Sequence, residues 1–458
     1  MSVGTNSPAI GRINGLLDAN SFVELGSLVT SRSTDFNVNA ADTPSDGVVI
    51  GHGLIDGNLV FVFSQDASVL GGSIGEMHAK KILSVYDMAM KMGAPVIGLL
   101  DSTGVRLQES VDALEAMGAI LAKACDASGV VPQIMAVFGN CGGGLSVLTS
   151  LSDFVFMEKS AKLFVNSPDT IEGNSVDKCD TASGEFQFEA AGTVDFVGSD
   201  AEIFDQIRKL VTVIPGSNVE DGSFDECTDD LNRAAEGLAD KRANVAAIAA
   251  ELSDNHFFFE TKAGYGKSMV TGFIKLNGIT VGVVGNQASE QGNVLRADGC
   301  DKAAAFVKYC DAFEIPVLSL TNVNGYQACK CSERRLPKAL AAMSCAFASA
   351  SVAKINLITT NAGGSSYILM NSKSMGADLV YAFPDANVEI MNPSLAAQII
   401  NGDANEFAAK ANGLNNAARR GYVDRIVNFE DARKYLIAGF EMLYTKKTMD
   451  SYKKHSTK

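Results

Sequence analysis

The sequence predicts an α/β protein built as a tandem duplication of one layered unit. Two observations favour this fold class. Short apolar runs rich in Val, Ile and Leu alternate with amphipathic helical segments, which is typical of parallel sheets covered by helices. The same succession of segments also occurs twice, at a constant displacement of 221 positions. Such internal similarity indicates that one unit was duplicated within the chain.

Five landmarks carry this displacement without a gap. The matched pairs are residues 51–57 with 272–278, 59–63 with 280–284, Pro95 with Pro316, Gly104 with Gly325, and 140–144 with 361–365. Beyond them the register shifts by a few residues, as Pro168 against Pro393 shows. An insertion in a surface loop would produce such a shift.

Each half has the same predicted order of elements. A short hairpin comes first, followed by an amphipathic helix over 81–92 in the first half and 302–313 in the second. A strand ending at a glycine, a second helix, another strand running into a glycine-rich turn and a further helix complete the unit. Between the halves, about 215–245 is polar and then becomes helical in pattern, so we predict two domains, 1–225 and 226–458.

Both halves place glycines between a buried strand and a helix. The two segments read IMAVFGNCGGGLSVLTS and INLITTNAGGSSYILMNS. Where the Cβ atom is absent, backbone N–H groups can approach a ligand, and the helix N-terminus adds roughly half a positive charge. Such glycines can also serve close packing alone. A symmetric pair suits a reaction in which two anions develop, so we predict two oxyanion holes.

Composition limits the classes of partner. The 458 residues exceed one ordinary core, and their formal net charge of −15 argues against binding to nucleic acid or to an anionic membrane surface. No apolar run approaches the roughly 20 residues of a membrane span, and Met1 to Ser7 lack the features of a signal peptide. We therefore expect a cytoplasmic protein without membrane insertion.

Several motifs carry no function in this interpretation. Nine cysteines without a C-x-x-C pair and four histidines without H-E-x-x-H spacing predict that the chain binds no metal. Residues 89–92 match a biotin-attachment tetrapeptide, but Lys91 falls in a helical segment and not on a tight hairpin. Residues 71–75 fit G-x-S-x-G without a recognisable triad, and 264–268 lack the first glycine of a Walker loop.

Several stretches together resemble the acyl-CoA carboxyltransferase family. This family comprises the carboxyltransferase subunits of biotin-dependent propionyl-CoA and acetyl-CoA carboxylases and of methylmalonyl-CoA decarboxylases. The stretches are RINGLLDANSFVELG (12–26), FSQDASVLGGSIGEMHAKKI (63–82), APVIGLLDSTGVRLQE (94–109), NCGGGLSVLTSLSDFVFM (140–157), VTGFIKLNGITVGVVGNQ (270–287), FVKYCDAFEIPVL (306–318), SKSMGADLVYAFPDA (372–386) and RRGYVDRIVNFEDAR (419–433).

The resemblance implies two crotonase-like domains and an assembly. CoA is expected against the N-terminal half, and biotin, carried by a separate carrier protein, against the C-terminal half. An ATP-dependent biotin carboxylase would charge the biotin. Relatives of this family commonly form hexamers, as trimers of dimers, so a homo-oligomer is expected.

The resemblance also implies roles for both glycine turns. Backbone N–H groups of Gly143 and Gly144 are expected to hold the acyl-thioester oxyanion. The turn at Gly364, Ser365 and Ser366 is expected to hold the ureido oxygen of biotin, whose charge grows as the carboxyl group leaves. The biotin can then take the α-proton, so no protein base is required.

Further substrate contacts are expected around the first turn. Because the protein is acidic, the CoA phosphates need local donors, and Arg106 and the Lys80-Lys81 pair are the candidates. Additional predicted substrate-binding residues are Gly71, Gly72 and Gly104 in the first half and Ile368 in the second. The resemblance implies that the position of Ile368 influences substrate size.

The second half departs from the propionyl-CoA branch of the family. The segment 323–340, VNGYQACKCSERRLPKAL, has Asn324 in place of a proline and Cys329 in place of a glycine. The second glycine turn reads A-G-G-S-S-Y where that branch has Y-G-G-A-Y. Two alternatives therefore stay open. The chain can be the corresponding subunit of a sodium-pumping methylmalonyl-CoA decarboxylase, with a membrane subunit as partner, or a catalytically silent assembly subunit.

Overall fold

The computed structural model describes residues 7–34, 36, 38, 42–220, 226–288, 290, 292–411 and 413–446. The chain divides into two compact units, Met1–Asp221 and Gly222–Lys458. Within the described residues, each unit contains one eight-stranded sheet. None of the helices described in either unit is long and apolar enough to cross a membrane.

The first unit places helices around a mixed sheet. Its strands are β1 (Val23–Leu25), β2 (Val48–Ile55), β3 (Asn58–Gln65), β4 (Val96–Ser102), β5 (Gln133–Gly142), β6 (Phe154–Glu158), β7 (Lys162–Phe164) and β8 (Phe196–Gly198). Its helices are α1 (Pro8–Leu16), α2 (Glu76–Met92), α3 (Val111–Ala127), α4 (Gly144–Leu151) and α5 (Asp200–Val211). The strand order is β1-β2-β3-β4-β5-β6-β8, with β7 paired to β5.

The second unit repeats this arrangement. Its strands are β9 (Phe259–Thr261), β10 (Met269–Leu276), β11 (Ile279–Asn286), β12 (Val317–Val323), β13 (Lys354–Gly363), β14 (Leu379–Ala382), β15 (Asn387–Glu389) and β16 (Arg425–Ile426). Its helices are α6 (Leu238–Lys241), α7 (Val245–Leu252), α8 (Ala297–Ala312), α9 (Lys330–Glu333), α10 (Leu336–Ser349), α11 (Gly364–Leu369), α12 (Pro393–Ile400), α13 (Ala404–Ala411), α14 (Leu414–Arg419) and α15 (Ala432–Leu443).

The predicted duplication and fold class are confirmed. Strands β2 to β5 and β10 to β13 begin and end at positions exactly 221 apart. In both units the first two pairings of the sheet are antiparallel and the later ones are parallel. The apolar residues Val96, Leu100, Val317 and Leu318 are fully buried, because helices cover the parallel part of the sheet.

Two predicted helical boundaries differ from the structure. Helix α2 begins at Glu76 and α8 at Ala297, about one turn before the predicted starts, because their first turns carry polar residues that hide the apolar period. The predicted helical pattern LNRAAEGLADKRANVAAIAAEL forms only α6 and α7. Gly237, with a φ of 67°, precedes α6, and the Asn244 side chain caps α7 by accepting the Ala247 N–H.

Candidate active site

Both glycine turns place a glycine with a positive φ at equivalent positions. Gly143 joins β5 to α4 with a φ of 59°, and Gly364 begins α11 after β13 with a φ of 58°. The two residues are 221 positions apart. L-residues adopt this left-handed region at a cost that glycine does not have, so the turn itself requires glycine at both places. The predicted strand, glycine turn and helix are thus present in each unit.

The first turn offers backbone donors, but not all those predicted. The Gly143 N–H donates to the Phe164 carbonyl at 3.0 Å and so extends the pairing of β5 with β7. This bond corrects the prediction that Gly143 supplies an oxyanion donor, because the N–H already has an acceptor. Among the described residues, no acceptor is present for the N–H groups of Gly144 and Leu145, which stay available to a ligand.

A cavity of about 460 Å³ opens at the first turn. Its walls are mostly apolar, and none of the residues that line it has an ionisable side chain. The lining residues are Ser102, Thr103, Gly104, Val105, Met117, Asn140, Gly142, Gly143, Gly144, Leu145 and Phe164. Gly104, predicted as a substrate contact, therefore lies together with Gly143 and Gly144.

The second turn exposes a different set of groups. No described residue accepts from the backbone N–H groups of Gly364, Ser365 or Ser366. The Ser366 hydroxyl is buried and donates to the Gly363 carbonyl at 2.7 Å. The exposed Ser365 hydroxyl instead accepts a hydrogen bond from the Tyr326 phenol at 2.8 Å. Ile368 is 41% exposed on the same helix, α11.

The two turns have equivalent backbones but different side chains. Ile74 donates to the Gly104 carbonyl at 2.8 Å, and Leu295 donates to the Gly325 carbonyl at 2.9 Å. These bonds hold equivalent loops in both units. The side chains at equivalent positions change from apolar or absent to polar: Val105 becomes Tyr326, Gly144 becomes Ser365, and Leu145 becomes Ser366. At these three positions the second turn therefore carries hydroxyl groups that the first turn lacks.

Arg106 is a structural ion-pair residue, which corrects its predicted role as a phosphate contact. Its side chain has no exposed surface. Nη1 pairs with Asp46 at 2.6 Å and with Glu109 at 2.8 Å, and Nη2 donates to the Ser73 carbonyl at 2.7 Å. A guanidinium with these partners cannot reach a ligand. It joins three chain segments beside the cavity.

The carboxylates of this cluster also hold α2. The Glu109 carboxylate accepts the Glu76 N–H at 2.6 Å, and Asp46 accepts the His78 N–H at 2.8 Å. Burial raises the pKa of Asp46, while Arg106 opposes the shift. Burial, with the charge of Arg106, lowers the pKa of His78 to about 3, so this histidine is neutral at physiological pH.

The two lysines predicted near the CoA phosphates have separate environments. Lys81 is buried, and its ammonium donates to the carbonyls of Ser45 and Val48, so the prediction of a phosphate contact is wrong. Burial lowers the pKa of Lys81 to about 8. Lys80 is exposed, pairs with Glu76 at 2.7 Å, and lies in another groove, of about 350 Å³.

Gly71 and Gly72 have positive φ angles in a turn that packs against the end of β4. A Cβ on Gly72 would overlap the carbonyl oxygen of Asp101, and one on Gly71 would lie 3.0 Å from the Thr103 side chain. Because Thr103 lines the cavity, these glycines shape the wall through packing.

The comparison with known proteins identifies the family. The carboxyl transferase domain family matches residues 6–457. The chain belongs to this family. It is 36% identical to the methylmalonyl-CoA decarboxylase subunit alpha of Propionigenium modestum, over 97% of this chain and 91% of the relative. It is 37% identical to the propionyl-CoA carboxylase beta chain of Roseobacter denitrificans, over 97% and 92% respectively.

Solved structures agree with this membership. This carboxyl transferase superposes on transcarboxylase 12S, solved as a hexamer with hydrolysed methylmalonyl-coenzyme A bound, with a TM-score of 0.93 and 35% identity. The match covers 98% of this chain and 91% of the other. The predicted tandem crotonase-like fold is confirmed by this similarity.

Two residues at the glycine turns were absent from the sequence prediction. Phe164, which accepts from Gly143 and lines the cavity, lies on a short strand beyond the range of constant displacement. Tyr326 lies within that range, 221 positions after Val105 and next to Gly325. Comparing equivalent positions side by side would have revealed Tyr326, whereas Phe164 required the strand pairing.

Proposed function

We propose that this chain is the carboxyltransferase component of a biotin-dependent acyl-CoA carboxylase. It would move a carboxyl group between N1-carboxybiotin on a separate carrier protein and a short-chain acyl-CoA such as propionyl-CoA or acetyl-CoA. The relatives named as propionyl-CoA carboxylase beta chains support this assignment. No feature of the described residues favours the decarboxylase subunit, so the carboxylase component is the function that we propose.

The observation that carries the proposal is the pair of equivalent glycine turns with differently lined surroundings. At the first turn, the free N–H groups of Gly144 and Leu145 would hold the thioester oxygen. The adjoining cavity of about 460 Å³ has the size and the apolar walls for a short acyl chain. We therefore assign the acyl-CoA to the N-terminal domain, 1–225.

At the second turn, the ligand would be the ureido group of biotin. This group is a polar ring with one carbonyl acceptor, and Ser365 and Tyr326 provide polar surroundings for it. The N–H groups of Gly364, Ser365 and Ser366 would donate to its oxygen as the carboxyl group leaves N1 and negative charge develops there. We assign biotin to the C-terminal domain, 226–458.

The α-proton of the acyl-CoA needs an acceptor. Because no ionisable side chain lines the first cavity, we assign this role to the biotin nitrogen that has lost its carboxyl group. The enolate that results would be stabilised at Gly144, and its α-carbon would form the new bond to the carboxyl carbon. Each turn would then stabilise one developing anion.

The proposed partners follow from this chemistry. Biotin would arrive on a biotin carboxyl carrier protein, charged by a biotin carboxylase, in the cytoplasm. The hexameric assembly of transcarboxylase 12S supports a homo-oligomer, and we propose a hexamer arranged as a trimer of dimers.

The test uses the purified chain with free biotin in place of the carrier. Malonyl-CoA, methylmalonyl-CoA and glutaconyl-CoA are supplied in turn, and the biotin-dependent loss of the thioester carboxyl group is followed by liquid chromatography with mass spectrometry. We expect turnover of at least one thioester that requires biotin. A complete lack of biotin-dependent turnover by a folded chain contradicts the proposal.

A further inference from the structure

A hydroxyl pair stands at the second turn. The Tyr326 phenol donates to the Ser365 Oγ at 2.8 Å. A serine hydroxyl can accept such a bond and still donate its own proton. Among the described residues, no group accepts that proton from Ser365, whose side chain is exposed. The serine therefore retains one donor for a ligand bound at this turn.

Neither hydroxyl is required by the fold. The equivalent positions in the first unit are Val105 and Gly144, and that unit forms the same turn without a hydroxyl at either place. Both positions of the second unit are polar, and their side chains contact one another. The two changes therefore form one feature that distinguishes the second turn from the first.

The position of the phenol is set by the backbone. Leu295 donates to the Gly325 carbonyl at 2.9 Å, and Gln327 donates to the Leu295 carbonyl at 2.9 Å, so the residues on both sides of Tyr326 are held. Ser365 is the second residue of α11 and directly follows Gly364. The hydroxyl pair thus joins a fixed loop to the residue that follows the turn glycine.

Accepting a hydrogen bond strengthens a hydroxyl as a donor, because successive hydrogen bonds polarise one another. We infer that Tyr326 is a positioning residue that orients the Ser365 hydroxyl as a side-chain donor to the developing oxyanion of a cyclic urea. This inference rests on the proposed function, since the cyclic urea is the head group of biotin. The first turn has Val105 and Gly144 at the equivalent positions and therefore lacks this hydroxyl pair.

The test measures free-biotin-dependent turnover by the full chain. The variants are Tyr326→Phe, Ser365→Ala, the double variant, and Ser365→Thr, which keeps a hydroxyl. Tyr422→Phe, at an exposed tyrosine of the same unit, is the matched control. For each protein, kcat, the KM for biotin, the KM for the acyl-CoA and the melting temperature are determined.

We expect Tyr326→Phe and Ser365→Ala each to lower kcat about tenfold, the size of one weakened hydrogen bond to developing charge. The double variant should be no slower than the slower single variant, because the two hydroxyls act as one unit. The KM for the acyl-CoA and the melting temperature should not change. Ser365→Thr should retain most of the activity.

Different failures have different meanings. A wild-type chain without biotin-dependent turnover overturns the proposed function and this inference with it. An active wild-type chain whose Tyr326→Phe variant has the same kcat overturns this inference alone. Losses that multiply in the double variant also overturn it, because independent effects show that Tyr326 does not act through Ser365.

Discussion

Replacing Arg106 by Met tests the buried ion-pair cluster of the first unit. Methionine keeps much of the side-chain volume and removes the positive charge, so Asp46 and Glu109 are left as buried carboxylates without their cation. Removing one partner of a buried ion pair typically costs about 3–5 kcal/mol. The Arg106 guanidinium also donates to the Ser73 carbonyl, which would lose its partner. We expect a loss near the upper end of this range.

The loss should depend on pH, with a sign fixed by the Asp46 carboxylate. Burial already raises the pKa of Asp46, and without the guanidinium this pKa rises further above its unfolded value, so the folded state binds this proton more tightly than the unfolded one. The stability of such a protein falls as pH rises. We therefore expect the penalty of Arg106→Met to be smaller at pH 6 than at pH 8.

Hydrogen exchange followed by mass spectrometry measures the loss of stability separately in each unit. Peptides covering β5 should exchange faster in Arg106→Met than in the wild type, while peptides covering the equivalent strand β13 serve as an internal comparison. Arg335→Met is the matched control, because Arg335 is 63% exposed and pairs with Asp301 at the surface. Such pairs contribute about 0–1 kcal/mol. Unchanged protection of β5 in Arg106→Met, at either pH, would refute this reasoning.

Three further predictions concern single residues. Gly144→Val should abolish transfer with little loss of stability, because its side chain would crowd Met117 and cover the donors of the first turn. The control Gly118→Val, at an exposed helical glycine with free space around it, should stay active. Wild-type turnover by Gly144→Val would show that the first turn is not the acyl-CoA site. Lys91 should not be biotinylated, because it lies in the last turn of α2. A streptavidin blot and the intact mass are measured after co-expression with biotin ligase. A mass increase equal to one biotin would contradict this prediction. Burial lowers the pKa of Lys81 to about 8. Between about pH 8 and the ordinary pKa of lysine, the folded state therefore binds fewer protons than the unfolded state. Denaturant titrations should therefore show the stability of the wild type rising relative to Lys81→Met from pH 7.5 to pH 9.5, and a constant difference would contradict the burial argument.

The sequence by itself determined the duplication and the place of both turns. A displacement of 221 positions predicted strands whose observed ends coincide in β2 to β5 and β10 to β13. Gly143 and Gly364 were recognised because local backbone conformation depends on the residue itself, and glycine is the residue that adopts a positive φ at low cost. Fold class was predictable for a similar reason, since apolar periodicity records which faces are buried.

Only the tertiary structure decided which charged and polar groups face a ligand. Arg106 and Lys81 are residue types that often contact phosphates, yet both are buried. Arg106 pairs with Asp46 and Lys81 donates to Ser45, and both partners lie far away in the sequence. The Gly143 N–H is not free for a ligand because it donates to the Phe164 carbonyl, which the pairing of β5 with β7 places beside it. The physical reason is common to these cases. A residue type fixes the groups that it can offer, whereas their partners depend on which distant segments the fold brings within hydrogen-bonding distance.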